Sequence, residues 1–122
     1  MIEILNIIIA LLSIGLGCFG WLAPKYTMEA LDLHTGETTM GVSEIRASAG
    51  ALFVGLGSGA LILGGPAAYA MVGFAWGGAA LGRATSLLRD TAPTPKTWAF
   101  FVTEFAVAAL GLALNLPGLI GA

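Results

Sequence analysis

Four long apolar runs dominate the chain, at about residues 2–23, 44–63, 66–88 and 95–116. Each is close to the roughly 20 residues a helix needs to cross the hydrocarbon core of a bilayer. None shows the alternating ten-residue pattern of a membrane barrel. Inside a bilayer the chain must satisfy its own backbone hydrogen bonds, so helices are expected. The polar punctuation agrees. Ser43 stands as an N-cap, with Glu44 in the first turn where the helix dipole favours a carboxylate. Gly64-Gly65-Pro66 reads as a stop followed by a start, and Thr94-Pro95 repeats the cap-plus-proline signal. Pro24-Lys25 closes the first run and Pro117 the fourth. The expected fold is all-α: one domain, residues 1–122, forming an integral membrane four-helix bundle with antiparallel neighbours. The second and third runs, joined by so short a link, form a hairpin.

The longest connection is "PKYTMEALDLHTGETTMGVS". Tyr26, Met28, Leu31 and Leu33 allow a short interfacial turn of helix there. The connection as a whole reads as a solvated connector with one greasy edge rather than as a lid.

Composition sharpens this picture. Hydrophobic residues make up 57% of the 122 and charged residues 10%, against about 25% charged in a soluble domain. A soluble helical core is therefore not expected. The net charge is −2, with no basic run, so nucleic acid is not an expected partner. Cys18 and His34 are each the sole residue of their type. No internal disulfide, metal site or cofactor is expected from them. Glu3 stands where a secretory signal carries its basic residues, and the first run exceeds a signal core, so it is expected to be a retained helix.

Small and polar residues recur at helical spacing. The first run aligns Asn6, Ala10, Ser13, Gly17 and Gly20. The second aligns Ala47, Ala51, Gly55 and Gly59. The third carries Ala70, Gly73 and Gly77, and beside them Gly78 and Gly82. The fourth aligns Glu104, Ala108, Gly111 and Asn115. Such stripes let membrane helices approach closely, and polar faces turn inward from lipid. The two stripes of the third run are expected to serve two neighbours within one bundle.

The ionisable residues gather at one end. Arg83 and Glu104 lie roughly 8 Å and roughly 13 Å inside the same end of their helices at 1.5 Å per residue. A charge at mid-depth costs about 2.5–3.5 kcal/mol on insertion scales, so the two are expected to pair. Glu44 and Arg46 open the second run at that end. Arg89 and Asp90 lie nearer the interface, and Ser86 is one turn from Arg83. Two readings of this cluster stand side by side: an ion-pair clasp that sets helix register, or a pocket for an anionic or polar head group with Arg46 and Arg83 as donors. Neither Ser86 nor Thr103 has a His or Cys beside it to complete a nucleophilic set, so no catalytic residue is assigned. Trp21 and Trp98 fit an interfacial belt, and Trp76 is expected to pack inside. Lys25, Arg46, Arg83, Arg89 and Lys96 share the side of the first and third connections, which places both termini outside the cytoplasm by the positive-inside rule.

At "SEIRASAG" (43–50), "GRATSLLRD" (82–90), the Pro-containing link and Glu104, the chain resembles a family of small four-helix bacterial membrane proteins grouped as a domain of unknown function. The resemblance covers nearly the whole chain. It implies a four-helix membrane fold, a bacterial inner-membrane location, and Glu44, Arg46, Arg83, Ser86, Asp90 and Glu104 as a signature set. It implies no activity. The expected role is non-catalytic: an accessory or partner-binding subunit of a larger membrane assembly, in contact with the bilayer and open to homo-oligomers. The alternative is a binder or carrier of a lipid-like or quinone-like molecule at the charged end.

Overall fold

The computed structural model describes residues 1–90 and 93–121. It is all-α, with no strand among the described residues. Five helices follow in order: α1 (Ile2–Leu22), α2 (Pro24–Ala30), α3 (Met40–Leu63), α4 (Pro66–Arg89) and α5 (Pro95–Ile120). Residues 91 and 92 of the Pro-containing link lie outside the described residues. The helices belong to two compact units, one of residues 7–62 and one of residues 1–6 with 63 onward.

In the 7–62 unit, α1 and α3 run antiparallel with their backbones almost touching. Gly57 faces the Ala10 carbonyl, Ser13 donates to the Phe53 carbonyl (2.9 Å), and a Cβ on Gly17 would fall 2.6 Å from the Gly50 carbonyl oxygen. The expected face of α1 is the one buried: Asn6, Ala10, Ser13, Gly17 and Gly20 are all inside. The expected face of α3 is not. Ala47, Ala51 and Gly55 are exposed, and Gly55 and Gly59 have nothing within 4 Å of a notional Cβ. The buried series is Ile45, Gly50, Gly57 and Ala60. The cause is a π-helical turn at Ala47–Ala51. It widens the step between buried positions from four residues to the five that separate Ile45 from Gly50, and so turns the following helix by about one residue, or 100°.

The start of α3 is also a correction. It begins at Met40 with Thr39 as N-cap, and Ser43 lies in its first turn, donating its N–H to the Thr39 carbonyl (3.1 Å). The Met40 N–H donates to Thr38 Oγ1 (3.2 Å), so a threonine upstream satisfies the end that Ser43 was expected to cap. A short helix does form in the connection, α2, opened by Pro24 and burying Met28, with Leu31 and Leu33 beyond its end. It closes in a Schellman arrangement: Asp32 is left-handed (φ 58°), Asp32 N–H donates to the Glu29 carbonyl, and Leu33 N–H donates to the Met28 carbonyl.

In the other unit, α4 and α5 run antiparallel along their length. Gly73 lies against Gly111, Gly77 against Ala108, and Arg83 against Glu104. The α5 stripe of Glu104, Ala108, Gly111 and Asn115 is buried as expected, and so are Ala70, Gly73 and Trp76 of α4. Gly78 and Gly82 are exposed with nothing within 4 Å, so the second glycine stripe of α4 has no neighbour within its own unit. Gly64 takes φ +69° and Pro66 opens α4, as the stop-and-start signal implied. Pro117 does not end α5. The helix continues to Ile120 and stops at left-handed Gly121, whose N–H donates to the Pro117 carbonyl. So near the terminus, proline's missing N–H and ring clash disturb only the final turn.

Three of the helices, α1, α3 and α5, are long and apolar enough to cross a membrane. They turn large apolar side chains outward, among them Ile4, Ile8, Leu11, Leu12 and Phe19 of α1. The fourth expected span, α4, has 24 residues but is not apolar enough to rank with them. Its glycines and alanines, with Tyr69, Trp76 and Arg83, dilute its apolar content.

Candidate functional site

The polar chemistry of α4 and α5 is set by their register. Counting back from Gly73 opposite Gly111, an antiparallel pair brings residue 83 level with the early turns of α5. There Arg83 meets Glu104: Nε donates to Oε1 at 2.9 Å and Nη2 to Oε2 at 3.4 Å. Both carboxylate oxygens are thus engaged by one planar fork, the geometry in which arginine binds a carboxylate best. Phe100, one turn before Glu104 on the same face, lies under the guanidinium, 5.3 Å from ring centre to Cζ. The carboxylate is the inner partner. The Glu104 side chain is 10% exposed and that of Arg83 32%. Among the described residues Arg83 Nη1 has no partner. Ser86, one turn on, is half-buried, and its hydroxyl has no partner among the described residues either. Arg89 and Asp90 are exposed at the end of α4.

Glu44 and Arg46 belong to the 7–62 unit. Arg46 Nη1 donates to the Trp21 carbonyl at 2.6 Å, placing a cation on the carbonyl end of α1, where the helix dipole favours it. Glu44 is exposed, and its backbone carbonyl accepts from Ser48 Oγ (2.8 Å). Of the seven residues singled out in the sequence, the structure therefore joins Arg83 to Glu104 and sets Arg46 to capping α1.

Sequence reasoning missed a second polar clasp. Asn6 and Asn115, both buried, exchange reciprocal amide hydrogen bonds of 2.8 Å, and Asn115 Nδ2 also donates to the Gly111 carbonyl (2.7 Å). Each lay on the small, polar face of its run, which was the available signal. What periodicity lacks is the rotation and height that bring two such faces together. Asn115 is three turns beyond Glu104 on α5, about 16 Å, so the unit is fastened at two levels.

Among the described residues, no buried side-chain polar atom lacks a partner and no group of three His, Cys, Asp or Glu side chains could hold a metal ion. His34 is exposed in the loop after α2, and Cys18 is a half-buried free thiol. The arrangement can hold helices in register. At Arg83 it can also direct a donor edge outward from a fixed guanidinium.

No curated protein and no solved structure matches the chain. A family model does: the one described as Domain of unknown function (DUF4345) covers residues 1–115, and the chain belongs to that family.

Proposed function

We propose that the protein is a multi-pass, four-helix integral membrane protein of a bacterial inner membrane, acting without catalysis as an accessory subunit that lays α4 against a transmembrane helix of a partner. The fourth span is α4. It lies antiparallel along α5, a candidate span, and its 24 residues extend about 36 Å, enough to cross beside it. The five Lys and Arg side chains, all on the side of the first and third connections, then put both termini on the non-cytoplasmic face.

The observation that carries the subunit role is the exposed face of α4. It is the least lipid-like of the four long helices, yet it leaves Gly78 and Gly82 open, one turn apart, flanked by exposed Phe74 and Thr85. Lipid gains little from a glycine groove, whereas a second helix gains close van der Waals contact along it. The buried polar side chains among the described residues support a fastening role: Asn6 and Asn115 bond each other, Glu104 is held by Arg83, and Ser13 donates to a backbone carbonyl.

Gly82→Leu tests this. Nothing lies within 4 Å of a Cβ at that site, so the subunit itself is expected to fold with unchanged helix content. Its larger assembly, resolved by native electrophoresis of gently solubilised membranes, is expected to disappear. Gly55→Leu, at an open glycine of α3, is expected to leave the assembly intact. An assembly that survives Gly82→Leu at wild-type abundance defeats the proposal.

A further inference from the structure

We propose that Arg83 is a fixed donor for the phosphate of an anionic phospholipid, bound at the charged end of α4 and α5. The inference rests on the membrane reading above. Glu104 accepts from the Nε and Nη2 edge of the guanidinium and Phe100 supports its face, so the side chain is already oriented. What remains is the outer edge. Arg83 Nη1 and the Ser86 hydroxyl, one turn apart on the same helix face, have no partner among the described residues. The Glu104 side chain is a tenth exposed and that of Arg83 a third, so the pair turns its cationic side chain outward although it is neutral as a whole.

The surrounding charge favours an anion. Between residues 83 and 104 the chain carries three cations, Arg83, Arg89 and Lys96, against two carboxylates, Asp90 and Glu104. The opposite end of the same unit carries no Lys or Arg, and Glu3 is its acid. Arg83 lies six residues before the end of α4, about 9 Å, within reach of a headgroup by its long stem. A planar guanidinium can hold a carboxylate on one edge and present a second, fixed edge of donors to phosphate oxygens, whereas the compact ammonium of lysine has no such second edge.

The test is native mass spectrometry of detergent-solubilised protein titrated with phosphatidylglycerol or phosphatidylcholine, for wild type, Arg83→Lys and Glu104→Gln. Wild type is expected to retain phosphatidylglycerol over phosphatidylcholine. Arg83→Lys keeps the ion pair's charge but removes the outer edge, and is expected to weaken that retention about tenfold, the worth of one charge-assisted hydrogen bond. Glu104→Gln keeps an acceptor for Nε while removing the neutralising charge, and is expected to strengthen retention. That gain is the discriminating result, because a clasp with no lipid role gives none. It also carries the test should Arg83→Lys fail to fold by circular dichroism. Equal retention in Arg83→Lys and wild type, or no gain in Glu104→Gln, overturns the assignment. So does a stoichiometric adduct of inorganic phosphate on delipidated protein, which would give the site to free phosphate. A failed membrane reading looks different: the protein would stay monodisperse in buffer without detergent.

Discussion

Gly20→Ala is expected to abolish the α1–α3 packing, whereas Gly15→Ala, one and a half turns away, is expected to leave it intact. A Cβ at Gly20 would collide with the Ala49 carbonyl oxygen and fall 2.8 Å from the Gly50 Cα. These are backbone atoms on the π-turn of α3, and neither can swing aside as a long side chain would. Overpacking of this kind costs typically 1–3 kcal/mol where side chains can shift, and at a backbone contact the upper end or beyond is expected, at least about 3 kcal/mol. At Gly15 nothing lies within 4 Å. There the added methyl brings only the higher helix propensity of alanine, a gain of up to about 1 kcal/mol. Thermal unfolding in detergent micelles, followed by circular dichroism, separates the two. Equal melting temperatures for the two variants would mean that α1 and α3 do not touch at Gly20.

Breaking the Arg83–Glu104 pair is expected to cost very different amounts from its two sides. Arg83→Leu strands a carboxylate that is almost fully buried, and losing one partner of a buried pair costs about 3–5 kcal/mol. Glu104→Leu strands an arginine whose side chain is a third exposed and whose flexible stem can turn the charge toward water or headgroups. About 1 kcal/mol is expected for that change. Replacing both by leucine is expected to recover most of the loss, because no uncompensated charge remains. A double-mutant cycle measured by reversible denaturation in micelles reads the asymmetry and the coupling together. Equal single costs that simply add would show that the two side chains do not depend on each other.

How far the sequence anticipated this structure depended on whether a feature was local. The helices followed from run length and from proline and glycine punctuation, because those signals act within a few residues. The inward faces of α1 and α5 were legible for the same reason: unbroken α-helical periodicity carries Asn6 to Gly20, and Glu104 to Asn115, along one side. The face of α3 was lost at Ala47–Ala51, where an extra residue per turn leaves no mark on a small-residue pattern of Ala and Gly. The Arg83–Glu104 pair could be foreseen, since both charges sat off-centre near one end of consecutive antiparallel runs. The Asn6–Asn115 clasp could not, since it joins residues 109 apart and depends on how the two helices are rotated. Arg46 was placed in the same cluster as Arg83 from its position at a helix start. Its bond to the Trp21 carbonyl instead follows from the close approach of α1 and α3, which periodicity does not contain.

The proposed role requires α4 to cross the membrane with α1, α3 and α5. Four crossings return both ends of the chain to one face, and three put them on opposite faces, so sidedness decides it. Single cysteines introduced as Glu3→Cys, Glu37→Cys and Gly118→Cys in a Cys18→Ser background can be labelled on intact cells with a membrane-impermeant maleimide. Labelling is expected at residues 3 and 118 from outside, and at residue 37 only after the membrane is permeabilised. Labelling of residues 3 and 118 from opposite sides would contradict it.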